Sequence, residues 1–385
     1  MSISLPGKPF ETGGSPRNLA ILGALCLFLS AVEYMIPKPL PFLRIGLANL
    51  PLMLALGIFP LRSFLVLVCI KVFGQAIITG TLFSYIFLFS LTGTFLSALL
   101  MFLLRFLFGK RHITFVGIGT AGAFVSNISQ LALAHVFIFK ENVFYIAPPF
   151  LAAGLVTGIV LGVFCGIFTQ RSKWFLKLEN REEEPGIGNE ELGNKKNDLH
   201  SLFLLIAGFL IMPALLFNPV TQLRVLQFLF FWLLALLYGK KTNPLFTILL
   251  IVFIIAFNLI IPYGRVLFSI GAFKITSGAL TAGVHRAFTL AALVMLSKFT
   301  ISKDLKLPGT FGNLLSLSLR IFSFLMGRKY RITGKNFITE IDNLMLELSQ
   351  EPQPIPDTHK VRTKPAGYVI LIIIILLSWL PWLMN

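Results

Sequence analysis

Charge, aspartate and cysteine are all scarce in this chain. Of its 385 residues only 13% are charged while 56% are hydrophobic, and the mean hydropathy is +0.84. A soluble chain of this length could not cover so much apolar surface. The composition therefore excludes a water-soluble enzyme and predicts an all-α, polytopic helical membrane protein. The three cysteines, Cys26, Cys69 and Cys165, sit in apolar runs, with neither metal-ligand spacing nor a disulfide framework. The aspartates, Asp198, Asp304, Asp342 and Asp357, are far apart in sequence. Holding magnesium against a diphosphate needs several carboxylate oxygens together, so their scatter argues against that chemistry. A Gly-x-x-x-x-Gly-Lys-Ser/Thr phosphate loop is also missing, since Gly334-Lys335 stands at the wrong spacing from Gly327. The chain is not read as an enzyme, and no cofactor or metal is expected.

What is abundant is positive charge and phenylalanine. The net charge of +17 and the 39 Phe fit a membrane protein whose basic residues flank the cytoplasmic ends of its spans, rather than a nucleic-acid binder. Residues 1–17 hold Pro6, Pro9, Gly13, Gly14 and Pro16 and lack a small-residue cleavage site, so they read as a retained cytoplasmic tail. Spans of roughly 17–25 apolar residues are expected at 18–36, 48–59, 61–78, 83–108, 113–139 and 144–169. The second is short and is bounded by Pro51 and Pro60, so its flanks read as re-entrant or broken. Lys8, Arg17, Arg62, Arg105, Lys110, Arg111, Arg171, Lys173 and Lys177 fall on one side, against Lys38, Arg44 and Lys140 on the other. This bias predicts a multi-pass protein of the cytoplasmic (inner) membrane with its N-terminus inside.

Composition changes abruptly at 171–200, where Glu182, Glu183, Glu184, Glu190 and Glu191 mix with glycine; this is read as a solvated linker between a membrane domain at 18–170 and another at 201–385. Further spans are expected at 202–217, 223–238, 244–262 and 279–296, with a last one at 367–383. Between them, 298–364 reads as a cytoplasmic amphipathic arm. Within it Phe337, Ile338, Ile341, Leu344, Met345 and Leu348 recur at helical spacing, as an interfacial or partner-binding helix would have them.

Inside the apolar first half, a few polar residues stand out: Glu33, Asn49, Lys71, Gln75, Asn127, Gln130 and His135. Lys71 and Gln75 are four apart and share a helix face. Asn127 and Gln130 are three apart. In hydrocarbon such groups either line a solute path or bond helix to helix, and for the amides both readings stay open. Lys71 lies too far into its span to snorkel comfortably and is read as functional, whereas His135 is read as a satisfied interhelical group. Arg44 and Lys71 would favour an anionic solute. Ala20 and Ala24, with Gly23 between them, form a small-residue face that lets another helix approach.

The ordered elements Arg44-Ile45-Gly46-Leu47-Ala48-Asn49, Lys71, Gly80-Thr81-Leu82-Phe83-Ser84 and Asn127-Ile128-Ser129-Gln130 resemble the Gx transporter family, also labelled heptaprenyl diphosphate synthase component I. That family is similar to the substrate-binding S components of energy-coupling factor (ECF) importers, and the resemblance covers about 18–170. It implies a six-helix vitamin-type binding bundle that docks through an Ala-x-x-x-Ala face, here Ala20 and Ala24. The second half resembles, more loosely, the transmembrane T component. The matching residues are Asn218-Pro219, Thr221 and Leu223, then Phe273-Lys274-Ile275-Thr276, Gly278, Gly283 and His285-Arg286-Ala287. Leu319-Arg320-Ile321 and Gly327-Arg328-Lys329 depart from the Ala-Arg-Gly motifs of coupling helices.

The resemblance implies a fused substrate-binding and scaffold subunit powered by separate cytoplasmic ATP-binding subunits, whose bound unit topples or rearranges to deliver its cargo. Solute contacts then fall to Arg44, Asn49, Lys71, Gln75, Asn127 and Gln130, and ATPase contacts to Arg320, Arg328 and Arg331. The partners expected are a small-molecule solute (a flavin, another vitamin or a prenyl precursor), membrane lipids and those ATPases, with no nucleic acid. The rival readings are a membrane component assisting heptaprenyl diphosphate synthesis, a non-transporting membrane anchor, and an ion-coupled carrier. The last is disfavoured because no carboxylate falls near mid-depth.

Overall fold

The computed structural model describes residues 16–35, 46–179, 199–240, 242–270, 273–301, 309–327, 337–350 and 365–383. Arg44, Arg328, Arg331, the tail 1–15 and most of the acidic stretch (180–198) lie outside them. The described chain is helical throughout except for one hairpin, as an all-α membrane protein requires. Six stretches are long and apolar enough to cross a membrane, among them Pro16–Tyr34, Leu61–Thr79, Tyr85–Gly109 and Ser277–Thr300.

In the first half, the long helices are α1 (Pro16–Met35), α3 (Leu61–Thr79), α4 (Tyr85–His112), α5 (Phe115–Ala134) and α6 (Val143–Arg171). Local chemistry sets their ends. Thr114 caps α5 by accepting from the Gly117 N–H at 3.2 Å, and Gly80 closes α3 in the left-handed region at φ 63°. The expected second span is not a span. A short 3₁₀ turn (Leu47–Asn49) leads into α2 (Leu50–Ala55), which with six residues is only about 9 Å long. Pro51 sits in its first turn, and Leu56 pairs back on Phe59. Leu52, Met53, Leu54 and Ala55 are all buried, so this broken segment packs on protein, the setting in which broken backbone is tolerated.

The second half contains α8 (Leu199–Leu216), α9 (Thr221–Leu237), α10 (Pro244–Asn258), α11 (Ser277–Thr300), α12 (Gly309–Gly327), α13 (Phe337–Gln350) and α14 (Pro365–Leu383). Between α10 and α11 lies an antiparallel hairpin, β1 (Val266–Ile270) with β2 (Phe273–Thr276), which the sequence reading did not anticipate. α8 and α9 are tied by Arg224, which is 4% exposed. Its guanidinium donates to the Leu216 and Asn218 carbonyls at the end of α8 and to Thr289 of α11, so a cation satisfies a helix C-terminus.

Two expectations about the connecting segments are corrected. The stretch 171–200 is not solvated from its start. Lys173–Glu179 forms helix α7, whose Trp174, Phe175 and Leu178 are buried. The amphipathic face of α13 finds its partner within this chain, because Ile341, Leu344, Met345 and Leu348 are buried where α13 meets α7 and α1. Asp342 fixes the joint. Its carboxylate accepts from Ser172 Oγ and from the backbone N–H groups of Lys173 and Trp174, the otherwise unsatisfied donors that open α7.

The remaining arm helix, α12, lies along α1 and α3. Ala20 and Ala24 are fully buried on α1. A Cβ at Gly23 would stand 2.7 Å from Ser318 Oγ of α12 and 2.8 Å from Ile70 of α3, so only glycine permits this three-helix approach. The halves meet elsewhere too. The Phe83 N–H donates to Ser297 Oγ at 2.8 Å, and the Phe83 ring packs edge-on against Phe209 at 4.9 Å.

Replacing Asp342 removes charge-assisted hydrogen bonds worth about 1.5–3 kcal/mol in comparable settings. Asp342→Ala should therefore lower the thermal midpoint of the detergent-solubilised protein, with Asp342→Asn intermediate. Equal midpoints for all three proteins would remove the joint from the account.

Candidate functional site

Five of the six expected solute contacts lie within the described residues, and all five line one cavity: Asn49, Lys71, Gln75, Asn127 and Gln130. Arg44 lies outside the described residues. The cavity is walled by α3 through α6, roofed by the Gly46–Asn49 turn and bordered by Glu33 at the end of α1. Its walls surround about 570 Å³ of empty space counting the mouth, but the room inside is narrow and amounts to a few water molecules. His135 stays out of it. That side chain is exposed, and its Nδ1 lies 2.9 Å from the Lys140 carbonyl within its own turn.

The geometry separates the residues by role. Lys71 is 4% exposed and does not snorkel; its ammonium donates to Asn49 Oδ1 and to Thr94 Oγ1. This joins α3 to the 3₁₀ turn and to α4. Glu33, 3% exposed, accepts from the Gly46 N–H at 3.2 Å and so holds the turn that places Asn49. Asn127 donates to the Phe150 carbonyl at 2.9 Å, and Gln130 to Ser126 Oγ at 3.1 Å. Asn127 thus also bonds helix to helix, the bland alternative for an amide in a membrane bundle. Gln75 differs. It is 5% exposed, and its Oε1 has no hydrogen-bond partner among the described residues.

Sequence reasoning missed one wall. Ser90, Thr94 and Ser97 occupy positions i, i+4 and i+7 of α4 and line the cavity with Met101 beyond them. Their spacing was the available signal. The opposite wall depends on close backbone approach between α5 and α6: a Cβ at Gly158 would lie 2.8 Å from the Gly119 carbonyl, and one at Gly119 would lie 2.6 Å from the Gly158 carbonyl.

Below Gln130, α5 widens into a π turn (His135–Phe139), a distortion often found near functional sites. The Ile138 carbonyl in this turn accepts from Arg286 of α11 at 3.0 Å and from Asn258 of α10 at 3.4 Å, while Asn142 donates to the Phe257 carbonyl at 2.7 Å. The second half therefore grips the helix that carries Asn127 and Gln130. Of the expected ATPase contacts, Arg320 is half-buried on α12, and Arg328 and Arg331 lie outside the described residues.

Comparison with known proteins adds two matches. Residues 200–303 match a family model described as a domain of unknown function. No curated protein and no solved structure matches the chain. It is the first half, residues 22–168, with the cavity inside it, that matches the family described as heptaprenyl diphosphate synthase component I.

Proposed function

We propose that this chain carries a small polar solute across the membrane, with the first half as the solute-holding unit and the second half as a scaffold fused to it. The observation that carries this reading is the convergence of Asn49, Lys71, Gln75, Asn127 and Gln130 on one cavity inside an apolar bundle. Burying polar groups in such surroundings is costly unless they bond to one another or to a guest. A passive anchor has no use for a polar void. The seat of α12 on the small-residue face of α1 supports the mechanical half of the proposal. Through Ala20, Gly23 and Ala24 a movement of α12 reaches the helix that ends at Glu33, on the rim of the cavity. Arg320 of α12 is where separate ATP-binding subunits would engage. The chain has no phosphate loop to hydrolyse ATP itself.

A second reading is favoured by the matched family's description: a membrane component that assists a diphosphate synthase. In that reading the chain assists without catalysing, since its aspartates are far apart in sequence and Asp342 is engaged at α7. Co-purification separates the two. A carrier should retain a pair of cytoplasmic ATPases, and an assisting component should retain a soluble prenyl-elongating enzyme.

Two variants test the carrier. Lys71→Met removes the charge-assisted bonds that hold Asn49 and Thr94 in the cavity wall, so solute affinity in lipid nanodiscs should fall about 10- to 100-fold; unchanged affinity takes Lys71 out of the site. Gly23→Leu forces α12 off α1 and should abolish uptake into cells while leaving solute binding within a few fold. Uptake at the wild-type rate would break the proposed link between α12 and the cavity.

A further inference from the structure

We infer that the guest of this cavity is a compact, uncharged molecule that presents N–H or O–H donors to the α3–α4 wall, rather than a diphosphate or another multivalent anion. The inference rests on the carrier reading above and names the class of solute that the same cavity takes.

Three oxygens carry the argument. Gln75 Oε1, Ser90 Oγ and Ser97 Oγ belong to residues that line the cavity; all three atoms are buried and have no hydrogen-bond partner among the described residues. Their residues are 5%, 2% and 1% exposed. For the serines this departs from habit. A hydroxyl in an apolar helix ordinarily turns back to the carbonyl four residues earlier. Thr92, Ser297, Thr300, Ser318 and Ser378 all do so in this chain. Ser90 and Ser97 forgo that local bond on the face that lines the cavity. Among the described residues Ser30 is the one other helical hydroxyl in this state, and it is not part of the cavity lining. A buried polar atom left without a partner costs about 1–3 kcal/mol. Three of them along one wall make a surface whose needs a guest would meet.

Gln75 sets the class, because the Ser90 and Ser97 hydroxyls can each donate as well as accept. An amide oxygen only accepts, so whatever meets Gln75 Oε1 must donate. A phosphate oxygen cannot. The cation that would attract a phosphate, Lys71, is already engaged by Asn49 and Thr94, and the donor nitrogens of Asn127 and Gln130 are committed to Phe150 and Ser126. Among the described lining residues the formal charges are one lysine and one glutamate, Glu33, which together offer no net field to a multivalent anion. The inference departs from the anionic solute expected from Arg44 and Lys71 in sequence, Arg44 lying outside the described residues. Met53, Phe89 and Met101 complete the lining with apolar surface, suited to the flat or aliphatic part of a small amide, amine or alcohol.

The test is a thermal-shift and calorimetric titration of the full chain in nanodiscs against two probe sets. Formamide, acetamide and urea are the neutral donors; inorganic pyrophosphate and isopentenyl diphosphate are the anions. At least one neutral probe should stabilise the protein and the anions should not. Gln75→Leu should weaken that probe about tenfold, and Ser90→Ala and Ser97→Ala, which keep the helix, should weaken it several-fold. Saturable binding of either anion, lost in Lys71→Met, overturns the solute class and leaves the carrier reading standing. Binding of a neutral probe that none of the three variants weakens overturns the assigned wall. If neither set shifts the protein and none of these variants changes the response, both the inference and the solute-holding reading fail.

Discussion

A hydrogen-bonding group inside an apolar bundle has to find a partner, and this constraint organises both halves of the molecule. It is met in two ways. Around Arg224 every neighbour is enlisted: the guanidinium takes up the Leu216 and Asn218 carbonyls and Thr289, Asn218 bonds Gln227, and Gln227 reaches the Ser378 carbonyl on α14. The result is a sealed knot joining four helices. Around Lys71 the pairing stops short. Lysine, Asn49 and Thr94 satisfy one another, while the buried oxygens of Gln75, Ser90 and Ser97, residues of the cavity lining, have no partner among the described residues. A closed network rigidifies, whereas a partly closed one leaves a wall with something still to bond.

Much of this was legible in the sequence, for a physical reason. Lysine and amides are rare enough in apolar runs that each stands out, and their i, i+3 and i, i+4 spacing assigns faces without any structure. Serine and threonine do not stand out. They bond their own helix so readily that they pass for neutral residues, which is why the α4 stripe went unnoticed. At 48–59 the short apolar run between Pro51 and Pro60 marked a broken segment, and the structure reduces its helix to six residues. The hairpin at 266–276 was missed because a short apolar run reads equally as strand or helix end. For α7 and α13 an amphipathic stripe signals that a partner exists without saying whether it lies in the same chain, and here it does.

The two halves are not simply joined by their linker. Contacts run between them at several places, among them α12 and α13 against α1, Ser297 against the Phe83 backbone, and Arg286 with Asn258 against the π turn of α5. The first and last of these touch helices that border the cavity. Ser297, Arg286 and Asn258 reach backbone groups, contacts that survive a change of side chain there, whereas the gap at Gly23 that admits α12 closes with any larger residue.

The mutual contact of Gly119 and Gly158 has a consequence for motion. Backbones that touch without intervening side chains slide poorly, so α5 and α6 behave as a single stiff plank. Enlarging the chamber must then fall to the opposite boards, α3 and α4, and above all to the stub α2, which is too short to brace itself against either leaflet.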